Sequence, residues 1–131
     1  IEEQIPSILE FAELTQFADL PVKRYSSGMM ARLGFAVAAH SRPEVLLLDE
    51  ILAVGDEVFR EKCFGVIRGF QEKGVTILMV SHQLDALLQF CQRAAVLDHG
   101  RLLHDGDTAS SVDFYRGLLT HGSALPSMQS I

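Results

Sequence analysis

Lysine is scarce in this 131-residue sequence: three occur, at positions 23, 62 and 73, and no two stand together. No basic run appears, and Asp plus Glu outnumber Lys plus Arg by 17 to 11, for a net charge of −6. A general nucleic-acid surface needs clustered cations against the phosphates, so this balance excludes one. Cysteine is equally thin. Cys63 and Cys91 sit on separate apolar patterns with no metal-ligand spacing, which predicts reduced core thiols. The apolar runs are too short to cross a bilayer, and no secretory leader opens the chain. No repeat or low-complexity tract is present. The sequence reads as a soluble, cytoplasmic segment of at most one domain by length.

What is present is a core-forming composition, 48% hydrophobic, organised around Val45-Leu46-Leu47-Leu48-Asp49-Glu50. Four apolar residues without alternation predict a strand buried on both faces, as in a parallel sheet covered by helices. Ligands of such sheets bind beyond the carboxyl ends of the strands. Asp49 and Glu50 would stand at that edge. Alone, the same pattern fits a strand that simply ends at water.

The flanking segments supply the rest of an α/β layout. Ile5, Ile8, Leu9 and Ala12 predict an amphipathic helix with Pro6 in its first turn or at a kink. Asp19-Leu20-Pro21 breaks it. Tyr25-Ser26-Ser27-Gly28-Met29 then opens a helix with Ser26 or Ser27 as its cap and Met30, Leu33 and Val37 on one face, and Pro43 ends it. Hydroxyls and free N–H groups at such an opening can hold an anion, although a plain cap looks the same. Phe59, Cys63, Val66, Ile67 and Phe70 predict a helix stopped by Gly74, followed by a second buried strand from Val75 to Val80. Strand, helix, strand implies a right-handed parallel crossover. It delivers His82 to the edge that holds Asp49 and Glu50. Leu84, Leu87, Leu88 and Cys91 mark a short helix. Ala94–Asp98 and Arg101–His104 form a hairpin around His99-Gly100, with His99 and His104 at its surface. Ser110 or Ser111 caps a last helix carrying Val112, Tyr115 and Leu119.

Taken in order, Tyr25-Ser26-Ser27-Gly28-Met29, an apolar strand ending Asp49-Glu50, a loop ending Asp56 and Val80-Ser81-His82 resemble the carboxyl-terminal half of an ABC-type ATPase, the nucleotide-binding subunit of ABC transporters. The helix at Ser26 resembles the family's signature helix and Val45–Glu50 its Walker B strand. Ala53–Asp56 falls where the D-loop lies, and His82 where the switch histidine lies. The usual signature Leu-Ser-Gly-Gly-Gln reads Tyr-Ser-Ser-Gly-Met here. That variant, together with Leu52-Ala53-Val54-Gly55-Asp56, is similar to the branch exporting O-antigen, capsule and teichoic-acid chains. No Gly-x-x-x-x-Gly-Lys-Ser/Thr loop occurs, since each lysine follows Val or Glu. The expectation is therefore a fragment whose phosphate loop precedes Ile1.

The resemblance implies an α/β fold: a P-loop NTPase-like core with part of the helical signature subdomain, three-layered with mainly parallel strands, its N-terminal part missing. It divides residues 1–120 into a signature region (1–42) and the Walker B to C-terminal core (43–120), with 121–131 a tail or linker. It implies ATP and Mg²⁺, with Asp49 toward the metal, and Glu50 and His82 as catalytic residues. Ser26, Ser27, Gly28 and Asp56 would contact ATP. Implied partners are a transmembrane permease subunit and a second, head-to-tail copy of the ATPase, with no nucleic acid. The implied place is the cytoplasmic face of the bacterial inner membrane, peripherally bound. A non-transport ABC ATPase, in DNA repair or on ribosomes, is the alternative within the family. A noncatalytic α/β binding module is the alternative outside it.

Overall fold

The computed structural model describes residues 2–50 and 55–120. It divides into two compact units, Ile1–His82 and Gln83–Ile131. The expected loop residues 51–54 and the expected tail 121–131 lie outside the described residues.

In the first unit, α1 spans Ile5–Phe11 with Pro6 in its opening turn, where a missing N–H costs nothing. It ends unusually. The Leu14 N–H donates to the Leu9 carbonyl at 2.8 Å, and Glu13 between them has φ +59°. Glycine usually takes this left-handed position in a helix stop of this type. Leu14 is thereby turned into the core, 2% exposed. Helix α2 covers Ser27–His40. Ser26 is its cap, and the Ser26 hydroxyl accepts the Met29 N–H at 3.2 Å. Its inward side is Met29, Leu33 and Ala36, which pack with Ile8, Leu9, Ala12 and Leu14. This corrects the expected face: Met30 and Val37 are about half exposed. Apolar residues surround this Ala-rich helix, so the 3.6-residue period admits two stripes, and packing against α1 selects the other one.

Strand β1, Val45–Asp49, pairs in parallel with β2, Thr76–Val80, through helix α3, Glu57–Glu72. Helix α3 buries Phe59, Cys63, Phe64, Ile67 and Phe70 and stops at Gly74 as expected. Burial along β1 alternates. Leu46 and Leu48 are buried, while Val45 is 56% and Leu47 67% exposed. Leu78 and Val80 are exposed on the same open face of β2. The expected burial on both faces is therefore corrected: no described residue covers the second face. An unalternating run reports that both faces are apolar, not that both are covered.

The second unit contains α4, Leu84–Phe90, then the antiparallel hairpin of β3, Arg93–Asp98, and β4, Arg101–Asp107, then α5, Thr108–Thr120. His99 and Gly100 turn the hairpin with φ +45° and +77°, the two positive values that match the strand twist. Helix α5 starts earlier than expected. The Asp107 carboxylate accepts the Ser110 N–H at 3.0 Å and does the capping, so Ser110 and Ser111 sit inside the first turn. The Ser111 hydroxyl instead donates to the Ala94 carbonyl at 2.8 Å, pinning helix to hairpin. Val112 is buried, but Leu119 is exposed. His99 is exposed as expected, whereas His104 is half-buried, its ring stacked on the Phe114 ring at 4.9 Å. Burial pushes the Cys63 thiol up to about 11 and raises Cys91 as well, in keeping with inert core thiols.

Ile67 is fully buried on α3 and Val58 is 70% exposed on its outer side. Ile67→Ala is expected to cost about 2–5 kcal/mol, and Val58→Ala less than about 0.5 kcal/mol. Urea unfolding measures both, and equal losses would contradict this placement of α3.

Candidate functional site at the strand edge

The parallel register sets the edge. Asp49 is opposite Val80, and the Glu50 N–H donates to the Val80 carbonyl at 3.0 Å, extending the ladder by one residue. Glu50 then turns out with φ +49°. Such values are uncommon outside glycine and often mark functional positions. The turn brings Glu50 Oε1 to 3.0 Å from His82 Nε2. Both side chains are largely open to water, His82 82% and Glu50 50% exposed. An exposed pair of this kind adds little stability, at most about 1 kcal/mol. Its placement matters more for chemistry than for folding: a carboxylate and an imidazole converge where a ligand of such a sheet binds. Asp49 is one residue back, on the open face with Val45 and Leu47.

Ser26, Ser27 and Gly28 form the amino end of α2. The Ser26 hydroxyl serves as the cap acceptor, and the first-turn N–H groups of Ser27 and Gly28 have no intrahelical acceptor. A Cβ at Gly28 would meet only the Ser26 hydroxyl, at 3.9 Å, so space around the helix does not require glycine there. Among the described residues no hydrogen bond or ion pair joins this end to Glu50 or His82. The two groups are separate features of one unit.

Asp56 follows the loop and caps α3, its carboxylate accepting the Phe59 N–H at 2.8 Å. That bond, and then the charge of Arg32, hold the Asp56 carboxyl below its ordinary value. Gly55 precedes it with φ +97°, and a Cβ there would meet Phe59 at 3.2 Å.

Sequence reading missed a cation cluster beside this cap. Arg32 on α2 reaches Glu13 at 2.7 Å and Asp56 at 3.6 Å, and lies 4.6 Å over the Phe59 ring. Lys62 on α3 donates to the Phe11 carbonyl at 2.8 Å, approaches Glu13 at 3.4 Å and covers the Phe11 ring at 4.8 Å. Glu13 is 19 residues from Arg32 and 49 from Lys62. No local motif connects such positions. Among the described residues no group of three or more His, Cys, Asp or Glu could hold a metal. None of the described helices is long and apolar enough to cross a membrane.

No family model matches the chain. Among curated proteins it is 44% identical over 119 residues to the ABC transporter protein AbcA of Aeromonas salmonicida, covering 91% of this chain and 39% of that protein. It is 45% identical to the teichoic acids export ATP-binding protein TagH of Bacillus cereus, over 91% of this chain and 22% of that one. It is 41% identical to the O-antigen export system ATP-binding protein RfbB of Klebsiella pneumoniae, over 88% and 47%. The chain thus spans less than half the length of these relatives. A dimeric post-hydrolysis ATP-binding cassette bound to ADP and Pi superposes with a TM-score of 0.67 at 24% identity, over 81% of this chain and 46% of that one. The relatives by sequence are an ABC transporter protein and two export ATP-binding proteins, and the fold is that of part of an ATP-binding cassette, with one parallel strand pair and one antiparallel hairpin.

Gly55→Ala is expected to cost about 1–3 kcal/mol from backbone strain alone, with the Phe59 contact adding to it; a thermal melt checks this, and an unchanged melt would contradict the geometry. Asp56 also predicts a pH dependence. Its folded carboxyl is depressed from 3.8, so its contribution is fully present above 3.8 and is lost as pH falls through the folded value. Asp56→Asn keeps a capping acceptor without the titration. Its stability should fall less steeply in acid than that of the wild type, as read from urea midpoints. Parallel acid limbs would show that Asp56 is not involved.

Proposed function

We propose that this chain is the carboxyl-terminal part of the ATP-hydrolysing subunit of an ABC exporter, one that moves a polysaccharide or glycoconjugate across the bacterial inner membrane. The observation that carries the proposal is the convergence of Glu50 and His82, 3.0 Å apart, at the carboxyl edge of a parallel strand pair. The export class is supported by the relatives named for teichoic acids and O-antigen. The open apolar face of Val45, Leu47, Leu78 and Val80 is where a helix of the cassette would pack, while further strands, among them the one leading into the phosphate loop, would pair at the edges of this two-stranded sheet.

Phosphoryl transfer to water depends on positioning and charge stabilisation. Glu50 accepts a proton from the attacking water, or orients that water, at the strand edge. The His82 Nε2 that faces Glu50 would turn its N–H to the γ-phosphate when ATP is bound, so that arrival of the phosphate releases the Glu50 carboxylate to act as base. Asp49 would hold Mg²⁺, since its carboxylate stands exposed at the strand edge and such an ion is commonly held by one or two carboxylates together with substrate phosphates and several waters. When bound, Mg²⁺ neutralises charge on the phosphates. Ser26, Ser27 and Gly28 offer hydroxyls and N–H groups to the γ-phosphate held by a second, head-to-tail copy. Asp56 helps couple the two sites across that interface. A transmembrane permease anchors the pair at the cytoplasmic face of the membrane.

In the full-length protein, Glu50→Gln is expected to keep ATP binding and to remove most hydrolysis. Turnover within about tenfold of wild type, about 1.4 kcal/mol of transition-state stabilisation, would sink the assignment of the base. Gly28→Asp should leave the fold intact, since the site has room and an acid in the first turn of a helix is mildly favourable. It should block ATP-driven dimerisation of a hydrolysis-deficient protein by charge repulsion. Normal ATP-dependent dimers on a sizing column would refute contact with the opposite phosphate.

A further inference from the structure

We propose that Arg32 is a positioning residue that clasps α2, the helix opened by Ser26 and Gly28, to Asp56, so that engagement at the first is transmitted to the second. This rests on the functional reading above. On distance alone the contact is weak: 3.6 Å, with the Asp56 side chain 64% exposed. Surface pairs of that kind contribute little, mainly because ordering two long side chains offsets the attraction.

Arg32 differs because its ordering is already complete. Glu13 grips one nitrogen at 2.7 Å, the Phe59 ring lies 4.6 Å beneath the guanidinium, and its side chain is 19% exposed. A planar fork fixed by two partners presents its second nitrogen to Asp56 with little further entropy to lose. Asp56 is equally constrained, since one carboxylate oxygen caps α3 through the Phe59 N–H. The other is the oxygen facing Arg32. Phe59 therefore serves both ends of the clasp, as platform for the cation and as donor to the anion.

The remaining neighbours fit this role. Glu13 is held at φ +59°, a position that glycine would take more easily. Its carboxylate meets both Arg32 and Lys62. It anchors the cations of α2 and α3 together, which accounts for a glutamate at that turn. Because Glu13 and the Phe59 ring hold the guanidinium in place, a displacement of α2 would be passed through it to Asp56.

The test is a double-mutant cycle in the full-length protein, with Arg32→Met, Asp56→Asn and the pair. Arg32→Met keeps an apolar stem over Phe59, and Asp56→Asn keeps the cap. Each single variant should lower kcat by about fivefold or more, the range of measured site-to-site coupling, with KM for ATP within about twofold. The pair should be little worse than either alone, as for residues acting through one contact. Multiplying effects, or an Arg32→Met kcat within about twofold of wild type, would overturn the clasp. If Arg32→Met fails to fold, Arg32→Lys, which retains the charge without the fork, takes its place. A folded Arg32→Lys with wild-type kcat would leave Arg32 a packing residue only. Glu50→Gln run alongside separates the two failures. Loss of turnover there, with a flat cycle at Arg32, rejects the clasp alone, whereas retained turnover rejects the functional reading itself.

Discussion

The register of one parallel strand pair governs the rest. Val45 opposite Thr76 through Asp49 opposite Val80 puts Leu46, Leu48, Ile77 and Met79 on one face. The same pairing ends both strands together. A slip of one residue would turn the buried leucines outward, because side chains alternate with a period of two. It would also separate Glu50 from His82, whose 3.0 Å contact depends on Glu50 bonding back to Val80. Core and candidate site therefore rest on the same set of ladder bonds.

Carboxylates at helix starts form the second layer of organisation. Asp56 opens α3 and Asp107 opens α5, each accepting a first-turn N–H within 3.0 Å. Both are held below the usual carboxylate value chiefly by those backbone bonds, as expected where helix N–H groups meet a negative charge. Among the described residues, Asp56 alone of the two is also approached by a cation from another helix. The same residue thus caps locally and connects at long range.

What the sequence made legible follows from local physics. The Ser26 cap, the Gly74 stop, the His99-Gly100 turn and the apolar face of α3 all depend on residues within one or two turns of each other. The strand edge was legible too, because an apolar run meeting Asp49-Glu50 is a local event. Errors arose where a choice was not local. Met30 and Val37 made as good a helical stripe as Met29, Leu33 and Ala36, and only contact with α1 decides between them. Ser110 and Ser111 are good caps by type, but Asp107 precedes them and starts the helix sooner. The cluster of Glu13, Arg32 and Lys62 left no trace, since its members meet only after three helices have packed.

The central claim is that the turn at Glu50 and the imidazole of His82 face the terminal phosphate of ATP. A structure of the full-length protein with a trapped hydrolysis analogue, ADP with vanadate and Mg²⁺, tests it most directly. The account predicts Glu50 Oε1 within about 2.6–3.2 Å of the apical oxygen that stands for the attacking water, and His82 Nε2 equally close to an equatorial vanadate oxygen. Vanadate bound with neither side chain in reach would contradict it.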